Sequence, residues 1–181
     1  MTLRMADTLD GMIPSTRRAV VALAVATTAL VSCGDSTTAP TTCPIDAMLP
    51  TMNQYVEGSF FIDTPWEPAP NTDLAATINA GGVACSYGIQ EAEVGATILW
   101  APAENTFAER RTQWQTDGQR QVEVAGTDEA WALEEINGEE RHLWTLNLLV
   151  DDVWISINAT FLPDFSQAQP LIDATIAVVR G

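Results

Sequence analysis

The chain has 181 residues, a length suited to one domain, with 24 acidic side chains against 8 basic ones and a net charge of −16. All the basic residues are arginine, so neither a phosphate-binding P-loop lysine nor Schiff-base chemistry is available. With no basic patch to neutralise phosphates, the composition also argues against nucleic acid as a partner.

In chain order, the first feature is a leader. Arg17 and Arg18 precede Ala19 to Leu30, a stretch that is apolar except for Thr27 and Thr28. A basic pair before about a dozen apolar residues has the form of an export signal, and is short of the ~20 residues that span a bilayer. Asp7 and Asp10 suit such a leader poorly, which makes Met5 and Met12 alternative starts to Met1. The run ends in Leu30-Val31-Ser32-Cys33. This resembles the lipobox of bacterial lipoproteins: an aliphatic residue, a small residue at the cleavage site, then the cysteine that carries the lipid. The resemblance implies cleavage of 1–32, a lipid on Cys33, and a protein held at the outer face of the cell membrane. Gly34 differs from the aspartate that retains many lipoproteins at the inner membrane. Removing 1–32 takes away Asp7, Asp10, Arg4, Arg17 and Arg18, leaving a net charge of −17.

Residues 33–42 (CGDSTTAPTT) read as a flexible tether, and 43–181 as a single domain. Once Cys33 is lipidated, Cys43 and Cys85 form an even pair in an oxidising compartment, which predicts a structural disulfide. Such a bridge contributes about 4 kcal/mol in the chain-entropy model. Met48, Met52 and Tyr55 recur at helical spacing, with Pro50 expected to split them into two short turns. Phe60 to Pro70 reads as a loop. Asn71-Thr72-Asp73 caps a short helix with Leu74 and Ile78 on one face, ended by Gly81-Gly82. Strands are expected at Val83–Ile89 and Val94–Trp100 about a polar turn. A helix follows over Glu104–Thr116, with Phe107 and Trp114 two turns apart, then a strand over Gln121–Ala125. Asp128–Ile136 reads as a strand in preference to a helix. Ser166-x-x-Gln169 has the form of a capping box for the last helix, with Pro170 in its first turn.

Two hairpins set the predicted register. Turning at Asp151-Asp152 pairs Leu148 with Ile155, Leu146 with Ile157, and Trp144 with Ala159. Turning at Asn137-Gly138 pairs Trp131 with Trp144, Leu133 with His142, and Glu134 with Arg141. One face then collects Trp131, Leu133, Trp144, Leu146, Leu148, Ile155, Ile157 and Phe161 as the core. The expected class is α+β, an antiparallel sheet with a C-terminal four-stranded meander and helices packed on one face. Cys43, Cys85-Ser-Tyr and Gly126-Thr-Asp-Glu-Ala-Trp131 give the mature chain a resemblance to small uncharacterised lipoproteins of actinobacteria. The element order is similar to that of Mog1/PsbP-like domains, which implies a fold and no activity.

Chemistry is sparse. His142, the one histidine, falls on the core face beside Leu133 and Phe161, with no serine in register on its side, so a packed role is preferred to a catalytic one. Zinc lacks a ligand set, and no cofactor is implied. Glu135 and Glu140 oppose each other across the first hairpin, with Glu139 adjacent; they are weak candidates for a divalent cation, and a solvated hairpin tip is the plainer reading. The opposite sheet face presents Trp154, Ser156, Asn158 and Thr160 beside Leu149, Asn147 and Thr145. An aromatic among neutral hydroxyls and amides resembles a platform for a sugar, a peptide or a partner edge, against the plainer reading of a solvated or helix-covered face. Three functions compete: a non-enzymatic binding module for an envelope protein or small ligand, a hydrolase using two carboxylates, and a structural envelope protein.

Overall fold

The computed structural model describes residues 37–137 and 141–181, which belong to one compact unit. The leader, the Leu30–Cys33 motif, Gly138, Glu139 and Glu140 lie outside the described residues. In order come α1 (Ile45–Tyr55), β1 (Phe60–Ile62), α2 (Asp73–Asn79), β2 (Val83–Ile89), β3 (Val94–Pro102) and α3 (Glu104–Thr116). Then follow β4 (Arg120–Val122), β5 (Glu129–Asn137), β6 (Arg141–Val150), β7 (Val153–Ala159) and α4 (Gln169–Arg180). The strands form one antiparallel sheet in the order β1-β2-β3-β7-β6-β5-β4, whose last four members are a meander. The α+β class is therefore as the sequence implies. The helices divide between the two faces, as the two apolar clusters show.

The period-two alternation of the central strands builds the main core. Tyr87, Ile98, Trp100, Leu146, Leu148, Ile155 and Ile157 meet Met48 and Met52 of α1 and Leu171, Ile172 and Ile176 of α4. Helix α1 runs unbroken through Pro50. Asp46, Ala47 and Pro50 are all exposed, so the carbonyl that loses its donor lies on the wet side, where water replaces it. The Cys43–Cys85 disulfide, Cα atoms 5.7 Å apart, ties the start of α1 to the middle of β2. The last helix is introduced differently from expectation. Asp164, not Ser166, accepts the capping bonds, from the Ser166 amide (2.8 Å) and hydroxyl, and a 3₁₀ turn at Phe165–Gln167 precedes α4. In α2 the buried residues are Ala75 and Thr77, while Ile78 is 40% exposed, because the short helix meets the sheet through its small side chains.

The Asp151-Asp152 hairpin has the predicted register throughout. The β5–β6 hairpin does not. Trp131 pairs with Asn147, Leu133 with Thr145, Glu134 with Trp144, and Asn137 with Arg141. The register is shifted by three residues from the one that a two-residue turn at Asn137-Gly138 sets. An odd slip exchanges faces: Ala130 and Ala132 enter the main core, and Trp131 and Leu133 turn to the other side. The observed register brings Trp131 into the cluster of Trp154 and sets its indole N–H 2.6 Å from Glu129 Oε1.

Candidate functional site

The second sheet face carries the residues expected to form a platform, and it is half covered. At the end of the sheet near the Asp151-Asp152 turn, α3 lays Phe107 and Trp114 over Ala101, Trp131 and Trp154. Trp114 and Trp154 stand 5.7 Å apart between ring centroids, and Phe107 meets Trp114 edge-on at 5.0 Å. Trp154 is 1% exposed and donates its indole N–H to Asn147 Oδ1 at 3.0 Å. Asn147, fully buried, in turn donates to Gln119 Oε1 at 3.1 Å. Ser156 is fully buried and its hydroxyl has no partner among the described residues. The expected exposed platform is thus corrected at its centre: Trp154, Asn147 and Ser156 lie inside, and Leu149 packs half-buried beside them. The physical reason is that α3 buries aromatic area on this face, while side-chain hydrogen bonds satisfy the polar groups that go under with it.

Two arginine–carboxylate pairs hold α3 down. Arg110 Nε lies 2.5 Å from Asp73 Oδ1 at the start of α2, and Trp114 Nε1 donates to both oxygens of the same carboxylate at 3.1 and 3.0 Å. Arg111 bonds Glu129 in a fork, at 2.7 and 2.5 Å.

The other half of the face is open, and there the remaining predicted residues lie. Cross-strand pairing sets Ile62, Ser86, Thr97, Asn158, Thr145 and Leu133 in one row across six strands, from the edge strand β1 to β5. Its middle four members are uncharged hydrogen-bonding groups, half-buried. Ser86 and Thr97 share a bond of 3.0 Å between hydroxyls, and Thr145 donates to Asn158 Oδ1 at 3.0 Å. Two clefts share Thr97 and Asn158. One, of about 320 Å³, runs toward the β2–β3 turn between Ile62, Ile89, Leu143 and Thr160, over Gly95. At this end Gly88 (φ +153) and Gly95 face each other so closely that a Cβ on either would fall 2.2 Å from the opposite backbone oxygen. The other cleft, of about 460 Å³, lies against Asn71, Asp73, Leu74, Arg110 and Asp117.

The remaining candidates separate. His142 faces the α1–α4 side, half-exposed, with Nδ1 2.6 Å from Glu134 Oε1; Leu133 is on the opposite face, so the two do not meet. Glu135 is exposed and pairs with Leu143, so it does not oppose Glu140, which with Glu139 lies outside the described residues. Among the described residues, no group of three or more His, Cys, Asp or Glu side chains is placed to hold a metal. The second cleft does bring two carboxylates together, Asp73 and Asp117. Both oxygens of Asp73 are engaged by Arg110 and Trp114, which suits an ion pair that fixes α3 better than a proton donor. Thr160 lines the first cleft on the face where the sequence places it, and Ser86 and Thr97 are the polar members of the open face that the sequence does not reveal. Thr97 reaches the row through the β3–β7 pairing, which sets it beside Asn158.

Comparison with protein-family models and with curated proteins finds no match for this chain.

Proposed function

We propose that the chain is a lipid-anchored binding module of the cell envelope, and that the open half of the second sheet face is its ligand site. The reading of the leader and of Cys33 as a lipobox supplies the location. One observation supports the site above others: an uncharged row, Ser86–Thr97–Asn158–Thr145, at the middle of the sheet between two clefts of about 320 and 460 Å³. Those volumes fall in the usual range for small-molecule sites. Neutral donors and acceptors that bond one another in the free protein exchange those bonds for ligand hydroxyls at small net cost. A net charge of −17 after cleavage disfavours anions. The ligand class that fits is a neutral saccharide of the envelope, one apolar face against Ile62 and Leu143 and hydroxyls toward Thr97 and Asn158.

The test is calorimetric titration of the exported protein with neutral envelope oligosaccharides, compared with the Thr97→Val, Asn158→Leu double variant. Binding that weakens at least about tenfold, at unchanged melting temperature, supports the site. Binding that the variant leaves intact, or a neutral peptide that competes where saccharides do not, refutes it. The anchor is tested separately: Cys33→Ser should release the protein from membranes, and globomycin should leave a heavier precursor.

A further inference from the structure

The segment expected to be a free tether is bound to the domain over its second half. Thr38 donates its amide to the carbonyl of Val179, near the end of α4, at 3.1 Å. Thr37 donates its hydroxyl to Asp151 Oδ2 at 2.7 Å, in the β6–β7 turn. Ala39 packs against the main core, and the chain is fastened again at the Cys43–Cys85 bridge. Each contact is modest, but a backbone bond, a side-chain bond, an apolar contact and a covalent link in sequence leave little freedom to residues 37–43.

From this docking we infer that the domain has a fixed polarity relative to the membrane, with the Asp151-Asp152 turn and the end of α4 toward the lipid and the open cleft away from it. The inference rests on the anchor at Cys33 proposed above. Four Cα–Cα steps separate Cys33 from Thr37, a reach of at most about 14 Å. The lipidated residue is therefore confined to the Asp151 end. Strand β3 spans the sheet from Pro102, paired with Val153 beside that turn, to Val94 at the opposite end. Its nine residues cover about 26 Å. Gly95 and Thr160, at the far end, are consequently the part of the site most distant from the anchor.

The experiment uses the protein extracted from membranes and reconstituted into phosphatidylcholine vesicles doped with a headgroup nitroxide. A fluorophore is placed on Asp152→Cys or on Gln90→Cys, with the native disulfide oxidised. The expected result is quenching several-fold stronger at position 152 than at position 90. A flexible Gly-Ser insertion after Gly34 should bring the two values together. Equal quenching at both positions in the uninserted protein, or stronger quenching at 90, overturns the inference. Intact mass separates the two ways of failing. Equal quenching of an acylated protein sinks the polarity alone, whereas an unacylated Cys33 sinks the anchor and the polarity with it.

Discussion

The two faces of the sheet are closed by different physics. The α1–α4 side is filled mainly by aliphatic side chains, Leu146, Leu148, Ile155 and Ile157 against Met48, Met52 and Leu171. The α3 side, under a helix that buries only Phe107 and Trp114, gathers Trp114, Trp131 and Trp154 and buries Asn147, Gln119 and Ser156 with them. The first face is specified by volume and depends little on direction. The second depends on bonds with direction, Trp154 to Asn147 to Gln119 and Trp114 to Asp73. A neutral polar residue on a strand is therefore no guide to exposure: Asn147 and Asn158 stand on the same face, one fully buried and one at the open row.

Substitutions sharpen or break this contrast. The largest effect is expected for Trp154→Ala, which empties the middle of the second core and strands the Asn147 acceptor. It should lower stability by about 3–5 kcal/mol in urea titrations, at least matching Trp144→Ala on the aliphatic side. A loss well below that of Trp144→Ala would show that α3 closes no real core. Next comes a pair of neighbours on β6. Asn147→Leu, close to isosteric, should cost about 1–3 kcal/mol because it leaves the indole N–H of Trp154 and the Gln119 amide oxygen unpaired. Leu146→Met, one residue away on the other face, should cost less than about 1.5 kcal/mol. The reverse ranking would erase the distinction between packing by volume and packing by direction.

The third contrast is pH. Burial pushes the Tyr87 phenol above its ordinary value of 10.0, and its hydroxyl has no partner among the described residues. A folded-state pKa above the unfolded one contributes stability that is complete below pH 10 and lost as pH rises beyond it. Melting temperature should therefore fall above pH 10, and Tyr87→Phe should flatten the fall; an unchanged alkaline slope would reject this account. The smallest effect belongs to Ser156→Ala. An unpartnered buried hydroxyl contributes no bond, so removal should shift stability by no more than about 0.5 kcal/mol, or raise it slightly. A large loss there would reveal a partner for Ser156.

The sequence was most legible where local geometry leaves little choice. A two-residue connection at Asp151-Asp152 admits one register, and the apolar alternation on both sides agrees with it, so the β6–β7 pairing could be written out residue by residue. The β5–β6 hairpin carried an equally strong turn signal, Asn137-Gly138, but turn chemistry competes with packing. The slip moves Trp131 to the second core and lets two alanines line the first. Helix α3 was legible from Phe107 and Trp114; its destination was not, because the face it covers is rich in amides and hydroxyls that read as wet. Thr145 and Asn158 of the proposed site were foreseen for that same reason, and Trp154 and Asn147 were misplaced by it. Thr97 joins them through the β3–β7 pairing, which links strands far apart in the chain and leaves no local mark, and Ser86 follows as the hairpin partner of Thr97.

The arginine clamps on α3 have a practical consequence. Because the chain has no lysine, trypsin can cut it only after arginine, and Arg110 and Arg111 stand next to each other in that helix. Both side chains are engaged, by Asp73 and by Glu129, in backbone that a protease cannot grip while it is helical. Cleavage at this pair therefore requires α3 to lift and unwind, and under gentle digestion its rate reports the population of molecules in which it has done so. The protein thus carries its own gauge of the second core, readable on a gel without any label.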